Sequence, residues 1–265
     1  MSKTLALVRG AGDLATGILY TLHQFGYAAV AAEQEYPSAI RRTVSFSEAV
    51  YEDRYTVENV TAERCEDPAG AAGILERGNI PVLIDPEGKC IRDLKPHIVV
   101  DAILAKRNVG TNMDLAPIVI GVGPGFTAGR DVHAVVETQR GHNLGRVILD
   151  GRAEPNTGIP GSIGGYSVER VIYSPAAGRI RNFKRIGDSI RPGEAIAAVG
   201  GVEIVSHIGG TLRGLIRDGF PVTEGFKIAD VDPRDVYGHC FTISDKARLI
   251  GFGTLYAIRL LENNQ

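Results

Sequence analysis

The chain has 265 residues, of which 44% are hydrophobic and 23% charged, as in an ordinary globular protein of one or two domains. A net charge of −2 argues against nucleic acid or a membrane surface as a partner, and no apolar run is long enough to span a bilayer. The three cysteines are far apart, and the first strand starts almost at residue 1. We therefore expect a reduced, cytoplasmic protein with no disulfide framework and no cleavable signal.

The first predicted elements form a strand, a glycine turn and a helix. Residues 4–8 are a short apolar run, and apolar residues recur at helical spacing over residues 14–25. Between them lies a G-x-G-x-x-A turn, made by Gly10, Gly12 and Ala15. This combination is the dinucleotide-binding fingerprint. Gly10 permits the tight turn, Gly12 lets a pyrophosphate approach the backbone, and Ala15 lets the helix lie close to the strand.

The residues that follow extend the fingerprint. Residues 28–32 predict a second strand, and Glu33 follows Gly12 by 21 positions, where a ribose hydroxyl would be held. The predicted nucleotide site runs through the helix start to Thr16. Because a bare carboxylate repels a phosphate, Asp13 is expected either to cap the helix or to meet the phosphate through a divalent ion. The alternative is a nucleotide-free domain in which the turn serves packing alone.

Charged residues follow two of the predicted strands. Arg41 and Arg42 lie in the loop after the second strand, where they would grip a phosphate or carboxylate, or form a solvated basic turn. Asp101 lies near the end of a predicted strand over residues 97–104, with Lys106 just beyond. That pattern predicts either a ligand-binding cluster or a local ion pair. Apolar runs alternate with helical segments in this half, which predicts a parallel sheet.

A second glycine-rich loop follows a further predicted strand. It contains Gly123, Gly125 and Arg130, and residues 133–138 after it read as another strand instead of a helix. It is therefore not a second dinucleotide fingerprint. We expect either a lid or anion-binding nest over the first site, with Arg130 pointing into it, or a purely structural turn.

The second half of the chain has a different character. Residues 156–165 form an irregular stretch, either a linker or a functional loop. Residues 174–199 and 206–231 match at ten positions with an offset of 32, which predicts a small β domain with a two-fold internal repeat. Its layout resembles the hammerhead or barrel-sandwich domains that carry biotin or lipoate. The hairpin between the halves has no lysine, so no covalently attached biotin or lipoate is expected.

The predicted architecture is α/β, with three parts. A Rossmann-like nucleotide-binding domain spans residues 1–150, the β domain spans 151–242, and a helix over 243–265 packs back on the first domain. The chain has no zinc signature, no nucleophile elbow and no phosphate-binding P-loop, so no protein-bound metal is expected. Three cysteines are either buried and structural or carriers of sulfur or selenium: Cys65, Cys90 and Cys240.

Five segments together resemble a known family over nearly the whole chain. They are RGAGDLATG at 9–17, RRTVSFSEAVY at 41–51, DAILAKRN at 101–108, the loop 121–129 and NTGIPG at 156–161. The family is that of the YqeB-type accessory proteins of selenium-dependent molybdenum hydroxylases. The N-terminal half is also similar to the Rossmann part of XdhC/CoxF-type maturation factors.

The resemblance implies a role in maturing the molybdenum cofactor, by its sulfuration, its selenation or its insertion. A nucleotide or the molybdopterin dinucleotide would bind at residues 10–16. Arg41, Arg42 and the loop 121–129 would hold the other phosphate or the pterin, and the β domain would present the cofactor to the client. The implied partners are a molybdenum hydroxylase and a sulfur or selenium donor protein, and the chain itself could form a homo-oligomer.

Two alternatives to a maturation factor stand beside it. One is an NAD(P)-dependent oxidoreductase, for which His97, His133 or Lys106 would serve as proton donor. The other is a non-enzymatic scaffold that binds nucleotide as a structural or regulatory ligand. An escort protein and a catalyst need the same pocket, so the sequence leaves open whether the protein is an enzyme, and no catalytic residue is assigned.

Overall fold

The computed structural model describes residues 3–263, which form two compact units. Of these, residues 3–37, 45–157 and 243–263 belong to the first unit. The second unit consists of residues 38–44 and 158–242. The short segment 38–44 is thus separated in sequence from the rest of its unit, a division that the sequence did not predict.

A nine-stranded sheet forms the centre of the first unit. Its order is β3-β4-β5-β2-β1-β6-β7-β8-β9, with parallel neighbours from β4 to β8 and antiparallel strands at both edges. The prediction of an α/β fold with a large sheet is confirmed, and the edge strands make the sheet mixed. The strands are β1 (Leu5–Arg9), β2 (Ala28–Glu33), β3 (Arg54–Val57), β4 (Val60–Cys65), β5 (Ile80–Ile84), β6 (Ile98–Asp101), β7 (Ile118–Val122), β8 (Ala134–Val136) and β9 (Val147–Ile148).

The central strands are apolar at nearly every position because helices and loops cover both faces of the sheet. Leu7, Val30 and Val99 pack in one cluster with residues of α3 and α4, while α1 contacts β1 and β2, and α5 contacts β7, β8 and β9. Among residues 3–263, none of the helices combines the length and apolar character of a bilayer span. The helices are α1 (Asp13–Gln24), α2 (Ala49–Glu52), α3 (Ala71–Glu76), α4 (Cys90–Leu94) and α5 (Asp245–Glu262).

Helices α1 and α5 touch through their backbones. A methyl group at Gly17 would overlap the carbonyl of Ala247, and one at Gly251 would overlap the carbonyl of Gly17. The side chain of Ser244 caps α5 by accepting a hydrogen bond from Ala247 N at 3.1 Å. Glycine in this helix therefore weakens local propensity but allows the two helices to approach closely.

Two four-stranded antiparallel sheets form the second unit. Their orders are β10-β17-β15-β12 and β14-β13-β11-β16, and they enclose a core that includes Ile180, Ile196, Leu212 and Ile228. The strands are β10 (Val171–Tyr173), β11 (Gly178–Asn182), β12 (Ser189–Ile190), β13 (Ala195–Val199), β14 (Val202–Val205), β15 (Gly210–Leu215), β16 (Pro221–Val222) and β17 (Lys227–Asp232).

The segment 38–44 is hydrogen-bonded to Leu215 at the end of β15. Leu215 N donates to Ile40 O at 2.8 Å, and Arg42 Nε donates to Leu215 O at 2.8 Å. The side chain of Ile40 packs against the unit's apolar core. The second unit thus takes main-chain, guanidinium and apolar contacts from a segment near the start of the chain.

The backbone contact between α1 and α5 predicts the effect of Gly251→Ala. Because the added methyl group meets backbone that cannot rotate away, we expect a loss of about 2–4 kcal/mol in the free energy of unfolding. The measurement is urea denaturation of the whole chain. The control is Gly73→Ala, within α3, where the new Cβ makes only an ordinary contact of 3.7 Å and a gain of about 0.5–1 kcal/mol is expected. Equal stabilities of the two variants would contradict the prediction.

Candidate functional site

Four parallel strands end together at one edge of the large sheet, the edge formed by the carboxyl ends of the strands. Arg9 of β1 is in register with Ala32 of β2 and with Asp101 of β6, and Asp101 is in register with Gly121 of β7. The chain leaves β1 towards β2 on one side, whereas β6 lies on the other side. This edge is a topological switch point, the place where open α/β sheets bind ligands.

The predicted glycine turn follows β1 at this switch point. Gly10 has φ +100°, and its amide donates to Ala32 O at 2.7 Å. A Cβ at Gly10 would lie 3.0 Å from Ala102 O, so both the conformation and the space require glycine. At Gly12 a Cβ would meet nothing within 4 Å, and α1 begins at the next residue, Asp13. The turn is closed against the sheet at Gly10 and open above Gly12.

Glu33 holds the turn from the end of β2. Its Oε2 accepts from Ala11 N at 2.7 Å, and its Oε1 accepts from Gln34 N at 2.8 Å. Burial raises the pKa of Glu33, and the two main-chain hydrogen bonds oppose that rise. The structure thus places the predicted acid beside the turn, where it binds an amide of the turn itself.

Two other residues of the predicted site lie beneath the turn. Ala15 and Thr16 are both buried. The Thr16 hydroxyl donates to Ala11 O at 3.1 Å and accepts from Phe46 N at 2.8 Å. Thr16 therefore joins the turn to the segment at Phe46, after β2, and its hydroxyl already makes two hydrogen bonds within the protein.

A buried ion pair joins β1 to β6, and the sequence analysis missed half of it. Arg9 Nη1 lies 3.3 Å from Asp101 Oδ2, and both side chains are almost fully buried. Thr111 Oγ1 bonds to both, and Asp101 Oδ1 accepts from Ile103 N at 3.1 Å. The local ion pair predicted for Asp101 was with the cations that follow its strand, whereas the structure pairs it with Arg9, 92 positions away. Arg9 could have been noticed in the sequence, because it is a charged residue that ends an apolar strand just before a glycine turn.

The segment after β6 is strained and meets both glycine loops. Leu104 and Lys106 have φ +60° and +62°, a conformation that side chains disfavour and that is concentrated at functional sites. Gly125, at φ +117°, lies so close to Arg107 that a Cβ would be 2.9 Å from the Arg107 backbone. Gly123 lies beside the hydroxyl of Thr138. Partial desolvation lowers the pKa of Lys106, although the residue as a whole is exposed.

The three predicted anion-binding arginines are engaged elsewhere. Arg130 donates through Nε and Nη2 to Asp131, at 3.0 Å each. Arg41 and Arg42 belong to the second unit, where Arg41 Nη2 donates to His239 O at 3.0 Å, and Arg42 binds Leu215 O as described above. Arg130 thus pairs with its neighbour in sequence, and Arg41 and Arg42 bind main-chain carbonyls within the second unit.

Two of the three predicted proton donors lie away from the glycine turn, and all three thiols are buried. His97 precedes β6 and His133 precedes β8, so both lie at the opposite edge of the sheet from the turn. Only Lys106 of the three lies at the turn's edge. Burial raises the pKa of all three thiols, Cys65, Cys90 and Cys240. Within residues 3–263 no group of three or more potential ligand side chains could hold a metal ion.

Comparison with known proteins finds one extensive relative. The chain is 49% identical over 257 residues to a protein of Escherichia coli (strain K12) named "Uncharacterized protein YqeB". The aligned region covers 97% of this chain and 48% of that protein. The chain thus spans about half the length of this curated relative. No protein-family model matches the chain.

Similarity to solved structures is weak. An aspartoacylase family protein from Mesorhizobium loti matches with 8% identity and a TM-score of 0.29, over 87% of this chain and 85% of that one. A succinylglutamatedesuccinylase/aspartoacylase from Rhodobacter sphaeroides matches with 15% identity and a TM-score of 0.28, over the same shares of the two chains. Such TM-scores assign neither a fold nor an activity.

The buried ion pair predicts a large effect of Asp101→Asn. The substitution leaves the Arg9 guanidinium buried without its counter-charge, so we expect a loss of about 3–5 kcal/mol in the free energy of unfolding. Urea denaturation measures it. Asp93→Asn, at an exposed position on α4, is the control and should change stability by less than about 0.5 kcal/mol. A similar loss in both variants would show that the ion pair is not the cause.

The lowered pKa of Lys106 predicts unusual reactivity. A larger share of its side chain is the uncharged amine at mildly alkaline pH, so it should acylate faster than Lys89, whose pKa the hydrogen bond to Glu87 raises. The measurement is brief treatment with an amine-specific acylating reagent, followed by peptide mass spectrometry. Slower labelling of Lys106 than of Lys89 would contradict the assignment.

Proposed function

We propose that the first unit is a Rossmann-like domain that binds a dinucleotide or the pterin-dinucleotide form of the molybdenum cofactor. The observation that carries this proposal is the strand order. Seven neighbouring strands of the sheet are parallel, and six of them, β5-β2-β1-β6-β7-β8, follow the 3-2-1-4-5-6 order of dinucleotide-binding domains, with β4 added outside β5. The Gly10 turn follows the central strand β1. In that fold the turn after the central strand receives the pyrophosphate.

The residues around the turn fit such a ligand. Gly12 leaves open space, so a phosphate can reach the first amides of α1, where the helix dipole favours negative charge. Glu33 holds Ala11 N and retains lone pairs on both oxygens for a ribose hydroxyl. The segment with Leu104 and Lys106 and the loop with Gly123 and Gly125 would form the remaining walls.

We further propose that the protein is a maturation factor for a selenium-dependent molybdenum hydroxylase. The resemblance in five segments supports this role, as described for the sequence. The buried thiols with raised pKa values argue against a sulfur relay through this chain. In the proposal the chain binds and hands over the cofactor, while a separate donor protein supplies the sulfur or selenium.

For the second unit we propose two copies of one four-stranded repeat. Strands β12 and β16 lie 32 positions apart, as do the starts of β11 and β15 and of β13 and β17. The repeat pairs β10 with β14, β11 with β15, β12 with β16 and β13 with β17. Replacing each strand by its counterpart converts the order β10-β17-β15-β12 into β14-β13-β11-β16, which is the order of the other sheet. A barrel-sandwich unit of the type predicted from the repeat has this internal two-fold relation.

Main-chain hydrogen bonds support the same two-fold relation. Gly225 N donates to Ser174 O at 2.8 Å, and Gly193 N donates to Ser206 O at 2.7 Å. The Ser174 and Ser206 hydroxyls each donate at 2.7 Å to the carbonyl two residues on. Each pair interchanges under the 32-residue offset. In the proposal this unit is a rigid support that presents the cofactor to the client, without a biotin or lipoate arm.

An NAD(P)-dependent oxidoreductase is the second candidate. One observation favours it: Lys106, with its lowered pKa, lies at the same edge as the glycine turn and could exchange a proton with a substrate. The ligand that stabilises the protein separates the two candidates.

The experiment is a thermal-shift titration of the whole chain with NAD, NADP, CDP, CTP and isolated molybdenum cofactor. A ligand at a hundredfold excess over its Kd stabilises the folded state by about 2.7 kcal/mol. We expect the molybdenum cofactor or a cytidine nucleotide to raise Tm, and Gly12→Asp to abolish the rise, because the new carboxylate repels the phosphates. Gly238→Asp is the matched control, since its Cβ also meets nothing within 4 Å.

A rise with NAD or NADP alone would favour the oxidoreductase. Binding at the turn would be refuted if none of the ligands raised Tm. It would also be refuted if a ligand raised the Tm of the wild type and of Gly12→Asp equally. Tight nucleotide binding without turnover, and a client complex that survives Gly12→Asp, would identify a non-enzymatic scaffold.

A further inference from the structure

A separate cleft lies at the opposite edge of the large sheet. It has a volume of about 730 Å³ and opens at the amino-terminal ends of β6 and β7. Its lining includes Arg92, Lys95 and His97 around the end of α4 and the start of β6, and Met113, Asp114 and Leu115 before β7. The cleft is open to solvent, and its volume lies within the range of small-molecule sites. None of the residues assigned above to the glycine-turn site lines it.

The cleft has an excess of positive charge. Arg92 and Lys95 carry two positive charges against one negative charge on Asp114, before any charge on His97 is counted. The neighbouring Lys89 is joined to Glu87 by a salt bridge, whereas within residues 3–263 Arg92 and Lys95 take part in none. A cationic group not already neutralised by a carboxylate is free to bind a ligand anion, and a guanidinium suits the paired oxygens of a carboxylate or phosphate.

Lys95 occupies a position where lysine is unfavourable for the backbone. It ends α4 in the left-handed conformation, with φ +47° and ψ +56°, where glycine or asparagine is preferred. Side chains held in this region are concentrated at ligand sites. The strained position and the cleft are independent observations that concern the same residue.

The cleft also has apolar lining residues. Met113 and Leu115 belong to a short 3₁₀ helix, Met113–Leu115, which is capped by Asn112 through its side-chain oxygen and Asp114 N at 3.0 Å. The methionine thioether packs favourably against aromatic rings. The cleft therefore combines two cations that suit an anionic group with apolar side chains that suit a flat ring.

We infer that this cleft is a second ligand site, which takes a planar aromatic molecule bearing a carboxylate or another anionic group. The ring lies against Met113 and Leu115. The anionic group meets Arg92 and Lys95. Asp114 opposes the anion and limits its affinity. This inference does not depend on the function proposed for the glycine turn.

The test is isothermal titration calorimetry of the whole chain with naphthoate, and with the uncharged alcohol of the same ring. We expect naphthoate to bind at least about tenfold more tightly than the alcohol, because only naphthoate meets the two cations. The double variant Arg92→Gln/Lys95→Gly should lose about tenfold in affinity, and Asp114→Asn should gain about threefold.

The design contains controls for folding and for location. Lys95→Gly removes a charge and also relieves the left-handed conformation, so it should keep or raise Tm, and a loss of affinity then reports on the site. Lys89→Gln, outside the cleft, should leave the affinity unchanged. Gly12→Asp should also leave naphthoate binding unchanged, because its effect is confined to the glycine turn.

Several results would overturn the inference. They are no binding of naphthoate by the wild type at millimolar concentration, equal binding of the acid and the alcohol, and unchanged affinity in the double variant. Loss of naphthoate binding in Gly12→Asp would instead place the ligand at the glycine turn.

Discussion

The position of α1 is the constraint on which the candidate site depends. The helix begins at the glycine turn, and its second turn lies in backbone contact with α5, where Gly17 and Gly251 leave no room for a side chain. Helices that touch in this way have little freedom to slide, because protein interiors are packed as densely as crystals. A helix from the far end of the chain thus determines where the first amides of α1 point. The open space above Gly12 is a property of this packing as much as of the turn itself.

Two carboxylates hold the switch point, and they do so differently. Asp101 is neutralised by Arg9 and accepts three hydrogen bonds within the protein. Glu33 has no cation among its hydrogen-bond partners and binds main-chain amides on both oxygens, while burial raises its pKa. The first arrangement favours a rigid joint between strands. The second leaves a buried carboxylate whose charge is supported by main-chain amides alone, against the cost of burial.

Local patterns predicted the elements but not the long-range partners. The strand, the turn at Gly10 and the acid at Glu33 follow from apolar runs and fixed spacing, so they could be found in the sequence. Arg9 could not be paired, because Asp101 lies 92 positions away. Arg41 and Arg42 were assigned to the turn from their place after β2, yet residue 38 begins a segment of the other unit. The edge at which His97 and His133 lie also follows only from strand direction. Sequence spacing also does not show which strands of the second unit share a sheet.

The segment 38–44 has a consequence for synthesis on the ribosome. Ile40 is hydrogen-bonded to Leu215, and the second unit continues to residue 242. The first unit includes α5, at residues 245–262. Both units are therefore incomplete until the last part of residues 3–263 has left the ribosome. At about 5–20 residues per second, the 175 residues between Ile40 and Leu215 take roughly 10–35 s to be made. During that interval the apolar strands of the first unit lack α5. The large sheet of the first unit therefore stays without one of its covering helices until residues 245–262 have been made.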